Sequence, residues 1–169
     1  MDTYLAVASK RDWRRYADRP IASDVVDRIL DAGRLAGSAV NRQPWTLVVV
    51  ESPEIRDRLA EAVYAADNVR GAALVVAIVT SGGGSALDVG RAMQNMFLVA
   101  WNEGVVSCPN GMPEADRAAE ALGLEGDDKP VIVLSFGYPA RPRDPEGESA
   151  EAWSREANRK PLSEVVKRV

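Results

Sequence analysis

The apolar positions of this chain fall into runs that alternate between helical and strand-like spacing. Val26, Ile29, Leu30, Gly33 and Ala36 recur at helical spacing, so a helix is predicted over residues 24–36, opened by Ser23 and stopped by Gly37 and the Pro44 that follows. Residues 45–50 form a short β-branched run that reads as a strand. Ser52-Pro53 is a helix start with proline in the first turn, and the pattern continues it through residues 55–66. Residues 72–80 are nearly all apolar, which predicts a strand buried on both faces. The clearest helix follows, because Val89, Ala92, Met93, Met96, Phe97 and Ala100 make one apolar stripe over several turns, ended by Gly104. A shorter helix is predicted over 113–122 and a third buried strand over 130–136.

The segments between these elements are less regular. Residues 81–85 read as a flexible link. They lack the GxxxxGK[ST] pattern of a phosphate loop, and Leu87 stands where a dinucleotide fingerprint needs its last glycine. Ser107-Cys108-Pro109-Asn110-Gly111-Met112 reads as a loop built around an Asn-Gly turn. Beyond Gly137, the prolines at 139, 142 and 145 break every periodicity, leaving one exposed helix over 149–158 and a short segment over 161–169. This tail has too little apolar material for a core of its own, so it is either disordered or laid over another surface such as a partner subunit. Helices alternating with apolar strands predict a helix/sheet/helix domain, and the alternation by itself suggests an all-parallel sheet.

Composition narrows the chemistry. The 169 residues suit one domain, and they include no histidine and a single cysteine, Cys108. Histidine-based nucleophile systems, zinc-protease motifs and disulfides are excluded, and the cysteine usage fits a reducing cytoplasm. The net charge of −4 argues against nucleic acid as a partner. The longest apolar run, residues 72–79, is too short to span a bilayer, and residues 1–10 lack the pattern of a secretory signal. A reaction here is expected to be carried by a cofactor.

Four segments could hold one. Between Lys10 and Arg19 five basic residues face two acidic ones, and guanidinium forks match phosphate oxygens. The stretch 37–45 offers small residues for close approach of a flat ligand, with Asn41 and Gln43 as donors and acceptors. The third is the 107–112 loop, where Cys108 has no histidine to activate it. The fourth is Arg159-Lys160-Pro161, two cations beside a rigid break. Each has a plainer reading as a solvated turn, a polar connection or a charged tail.

Taken in order, the segments resemble the nitroreductase family of flavin mononucleotide (FMN) enzymes. The resemblance rests on Arg11-Asp12-Trp13-Arg14-Arg15-Tyr16, on Ser38-Ala39-Val40-Asn41-Arg42-Gln43-Pro44-Trp45, and on the helix bearing Asp88, Gly90 and Asn95-Met96. Ser107, Pro130 to Leu134 running into Gly137-Tyr138-Pro139, and Arg159-Lys160-Pro161-Leu162 complete it. It implies an α+β fold: a three-layer domain with a mixed central sheet, residues 1–137 as core and 138–169 as an extension wrapping the partner subunit. It also implies a homodimer with FMN at the interface, NADH or NADPH as hydride donor, and a flat acceptor such as a nitroaromatic, quinone or activated alkene. By position, Lys10 or Arg11 with Arg159 and Lys160 would grip the FMN phosphate, and Arg14 would face the N1/O2 edge of the ring. Ser38, Ala39, Asn41 and Gln43 would reach the other subunit's flavin, Pro109, Asn110 and Gly111 would run along N5, and Asn68 would meet the pyrimidine edge. Arg14, Asn110 and Gly111 are the residues expected at the chemistry. Asp12, next to a phosphate, is expected to turn away or cap a helix, and the short 81–85 link implies an open site. The alternatives are a same-fold flavin or deazaflavin enzyme with a different reaction, and a non-catalytic α/β module that binds a phosphorylated ligand.

Overall fold

The computed structural model describes residues 1–82 and 85–169, which form two compact units, Arg11–Pro142 and a second made of Met1–Lys10 with Arg143–Val169. The larger unit is built on a four-stranded sheet of β1 (Trp45–Val49), β2 (Leu74–Ser81), β3 (Val106–Asn110) and β4 (Asp128–Gly137), in the order β1-β2-β4-β3. Its helices are α2 (Ser23–Arg34), α3 (Pro53–Ala60), α4 (Ala66–Arg70), α5 (Ala86–Asn102) and α6 (Ala115–Ala121). The smaller unit holds α1 (Thr3–Ser9), α7 (Ala150–Glu156) and α8 (Leu162–Val165).

The strand read as buried on both faces is the centre of the sheet. Residues from Leu74 to Thr80 are all buried. Val75, Ala77 and Val79 enter one apolar cluster with Leu59, Val69, Ala118 and Ala121 from α3, α4 and α6. Leu74, Val76 and Ile78 enter the other, with Ile29 of α2 and Met96, Phe97 and Ala100 of α5. Period-two alternation on a strand thus separates two helix layers, and the unit has the expected three layers and α+β class. On the α2/α5 side the packing is close: a Cβ on Gly33 would lie 2.8 Å from Met96 Sδ. The Phe97 and Phe136 rings meet edge to face at 5.8 Å.

The strands pair differently from the all-parallel arrangement that alternation alone suggests. β1–β2, β2–β4 and β3–β4 are all antiparallel. Among the described residues, the parallel component of the expected mixed sheet is confined to an isolated bridge between Asp12 and Ser107. β2 and β3 point the same way but are not neighbours, because β4 lies between them. The β2–α5–β3 crossover therefore skips one position, which the order of elements along the chain cannot reveal.

Two further differences have local causes. The 107–112 segment is not a loop, since Val106–Asn110 is β3. Pro109 is tolerated there because, among the four strands, β3 has only β4 as a neighbour and is an edge strand. The helix predicted over 55–66 stops at Ala60 and restarts as α4 at Ala66. Of the link expected over 81–85, Ser81 ends β2 and Ser85 caps α5 by accepting from the Leu87 N–H, while residues 83 and 84 lie outside the described residues. No helix among the described residues is long and apolar enough to cross a membrane.

In the smaller unit, Asp2 caps α1 by accepting from the backbone N–H groups of Tyr4 and Leu5, at 2.9 and 3.1 Å. Ser149 caps α7, and the Trp153 indole donates to the Pro145 carbonyl at 2.9 Å. α8 leaves Leu162 and Val165 exposed.

Phe97 is 2% exposed at the centre of the α2/α5 layer, so Phe97→Ala is expected to lower the free energy of unfolding by about 3–5 kcal/mol in a urea titration.

Candidate functional site

The segment 11–16 has no helical or strand pattern of its own, and the larger unit's sheet gives it a course. The Trp13 N–H donates to the Ser107 carbonyl at 3.1 Å, Tyr16 bridges to Pro139, and the Ala140 N–H donates to the Arg15 carbonyl at 3.2 Å. The segment therefore runs along the free edge of β3 and past the end of β4. Asp12 sits on that edge, in a bridge with Ser107. Arg14 is exposed, and its guanidinium lies beside the buried thiol of Cys108.

Behind Arg14 lies a buried polar cluster. The Tyr16 hydroxyl donates to Asn68 Oδ1 at 2.7 Å and sits 2.8 Å from Ser135 Oγ. Asn68 Nδ2 donates to Asn110 Oδ1 at 2.6 Å. Asn110 Nδ2 is shared among Ser135 Oγ and the carbonyls of Cys108 and Val133, at 3.1 to 3.2 Å. Asn68, Asn110 and Ser135 are 3% exposed or less. With the Tyr16 and Ser135 hydroxyl protons shared between neighbouring acceptors, the side-chain polar atoms of the cluster have partners, the condition under which a buried polar network rigidifies a fold instead of weakening it.

Gly137 makes room for this arrangement, because a Cβ there would lie 2.8 Å from the Tyr16 ring. At the far end of β3, the Tyr64 N–H donates to the Gly111 carbonyl at 3.1 Å, and a Cβ on Gly111 would lie 3.2 Å from the exposed Tyr64 ring. Ser107 Oγ is buried without a hydrogen-bond partner.

The 37–44 connection is a second, separate centre. Val40, Asn41 and Gln43 all have φ near +50°, a left-handed conformation that favours glycine and that asparagine tolerates better than valine. The loop is held there by the Gln43 N–H donating to Ser38 Oγ at 2.8 Å, by Gln43 Nε2 donating to the Asn41 carbonyl, and by the Ala39 N–H donating to the buried Asp88 at 3.4 Å. Arg91 lies over Gly37, where a Cβ would come within 2.5 Å of its guanidinium. A groove of about 530 Å³ flanks the loop between α2 and β1, lined by Asp27, Leu30, Arg34, Gln43 and Trp45 among others. Another of about 450 Å³ lies along α5 by Gly37, Leu87 and Gly90.

The residues singled out from the sequence therefore fall into groups. Arg14, Asn68, Pro109, Asn110 and Gly111 converge around β3. Ser38, Ala39, Asn41 and Gln43 converge on the loop that leads into β1. β1 and β3 are the two edges of the sheet, roughly 14 Å apart at three strand spacings, so within one chain the two groups lie at opposite edges. Arg11 belongs to the larger unit, whereas Lys10, Arg159 and Lys160 belong to the smaller. Tyr16 and Ser135 are additions. Ser135 has a visible signal, as a hydroxyl inside the apolar run ending at Phe136, but its partners 25 and 119 residues away do not.

Burial raises both titratable groups here above their ordinary values, and neighbours oppose the shift only partly: Ser135 for Tyr16, and Arg14 with Asn68 for Cys108. Both stay protonated in the fold at pH values where the unfolded chain would release their protons. The folded state then binds more protons, so stability is fully present below about pH 9 and falls above it, as the pH passes the unfolded values of 9.0 and 10.0. Urea titrations from pH 7 to 11 are expected to show that decline, with a shallower slope in Tyr16→Phe.

Among the described residues, no group of three Cys, Asp or Glu side chains could hold a metal ion. The model of the nitroreductase family matches residues 7–82 and 64–138. A Methanothermobacter thermautotrophicus protein provisionally named NADH dehydrogenase/NAD(P)H nitroreductase is 29% identical over 150 residues, covering 83% of this chain and 78% of that one. The structure is similar to a nitroreductase family protein of Clostridium difficile, with a TM-score of 0.82 at 24% identity over 99% of this chain and 98% of that one. It is also similar to the NADPH:FMN oxidoreductase of Vibrio harveyi, solved with NAD+, with a TM-score of 0.77 at 22% identity over 86% and 75% of the two chains. Both likenesses are of fold.

Proposed function

Because the chain belongs to the nitroreductase family, we propose that it is an FMN-dependent oxidoreductase that passes hydride from NADH or NADPH to a flat electron acceptor. The observation that carries this reading is the placement of Arg14 beside Cys108 of β3, on one edge of the sheet. The donors suit FMN. A guanidinium matches an edge where negative charge develops, the carboxamides of the 37–44 loop match a heterocycle's donors and acceptors, and the unpaired Ser107 hydroxyl shows hydrogen-bonding capacity beside the same edge. When bound, FMN would supply the electron relay, taking hydride at N5 from the nicotinamide and yielding it to a nitroaromatic, quinone or activated alkene in ping-pong order.

The chain's own residues then bind, orient and polarise. Arg14 stabilises the negative charge that reduction places on the N1/O2 edge. The backbone N–H groups of Asn110 and Gly111 would be the donors this stretch offers to N5, Pro109 having none. Arg11, in the same unit as Arg14, neutralises the phosphate. With no histidine in the chain, no imidazole of its own supplies the proton that accompanies hydride to the acceptor. Ser38, Ala39, Asn41 and Gln43 belong to the opposite edge, so in this reading they serve the flavin of a second copy, and the active form is a homodimer.

Purified protein mixed with FMN is expected to retain it on gel filtration and to bleach anaerobically with NADH or NADPH. Failure to bind FMN would overturn the proposal. Arg14→Met is expected to slow bleaching by about 10²-fold while FMN affinity changes less than about tenfold, as for loss of one charge-stabilising donor.

A further inference from the structure

We propose that Tyr16, Asn68 and Ser135 are positioning residues that fix the backbone at Asn110 and Gly111 by holding the Asn110 carboxamide. The inference rests on the reading just given, which lays that backbone along the reacting edge of the flavin. It goes beyond that reading by giving Asn68 a place behind the edge.

Asn110 is the last residue of an edge strand, one position after a proline that contributes no N–H. A strand end of that kind frays unless something else holds it. Here four separate parts of the larger unit do so. Tyr16 comes from the segment along β3, Asn68 from α4, Ser135 and Val133 from β4, and Cys108 from β3 itself.

The direction of the bonds matters. The Tyr16 hydroxyl donates to Asn68 Oδ1, which orients that carboxamide so that its Nδ2 points at Asn110 Oδ1. Asn110 Nδ2 is thereby left for Ser135 and two carbonyls. Reversing either amide would set like against like: oxygen against oxygen for Asn68, and N–H against N–H with oxygen against carbonyl for Asn110. Ser135 Oγ also donates to the Cys108 carbonyl at 3.2 Å, closing the network on the strand it supports.

A fold needing only a filled core would be served by apolar side chains here, since buried polar groups add little net stability. What the network adds is one fixed orientation of a strand end. Gly111 is tied from the other side by the Tyr64 N–H, so the two-residue stretch is held at both ends.

Two readouts test this in Tyr16→Phe, which keeps the ring against Gly137, and in Asn68→Ala. The first is hydrogen–deuterium exchange in the flavin-free protein. Both variants are expected to speed exchange at the Asn110 and Gly111 amides about tenfold or more, while the β2 amides stay within about twofold, as for loss of a buried hydrogen bond confined to one site. The second is anaerobic flavin reduction by NADH, expected to slow about tenfold with an FMN dissociation constant changed less than about threefold. Ser135→Thr, which keeps the hydroxyl, should match the unsubstituted chain in both, and Ser135→Ala serves if Tyr16→Phe does not fold. Uniform acceleration of exchange across β2 and β4, or no change at Asn110 and Gly111, would overturn the proposal. If the unsubstituted protein binds no FMN, the reading of the site fails by itself, and the exchange result still decides whether the network holds the strand end.

Discussion

Every other feature of the larger unit depends on β2 having no face toward water. A strand buried on both sides needs a helix layer against each, and α2 with α5 on one side and α3, α4 and α6 on the other supply them. Once β2 is central, β4 completes its second edge, and β1 and β3 become the rims of the sheet. Rim strands have one unpaired edge, and both candidate binding segments lie on rims. The 11–16 segment runs along β3, and the 37–44 loop delivers the chain into β1. The burial of one strand thus separates the two groups of polar residues to opposite ends of the sheet.

That separation gives the proposed dimer a physical reason. The carboxamides of the 37–44 loop and the guanidinium of Arg14 cannot share a small ligand within one chain if they sit roughly 14 Å apart, but they can across a two-fold axis that sets one copy's β1 rim beside the other's β3 rim. The left-handed conformations of Val40, Asn41 and Gln43 cost free energy in the isolated chain. Conformations of that kind persist where surrounding structure or a ligand over-determines them, which suits a loop that takes part in such an interface.

Much of this was legible in the sequence, and what was not has identifiable causes. The α5 stripe and the β2 run were readable because their periodicity spans many residues, and Ser52-Pro53 marked a helix start. Strand direction was not readable, because a buried apolar run looks the same whichever way its neighbour points. β3 was hidden by Asn110-Gly111, an ordinary turn signal at the end of a strand whose Pro109 an edge position tolerates. α1 was hidden because seven residues carry little periodicity, and its cap on Asp2 and packing against α7 are what define it. Arg14, Asn110 and Gly111 could be picked out by resemblance, but Tyr16 and Ser135 could not, since their roles exist only once 16, 68, 110 and 135 are brought together.

In the proposed homodimer the flavin site is complete only when two chains bring opposite rims together. FMN binding measured across a protein dilution series, with sedimentation velocity reporting the oligomeric state at each concentration, tests it most directly. One FMN is expected per chain, with affinity falling as the dimer dissociates. Undiminished FMN affinity in a solution of monomers would contradict it.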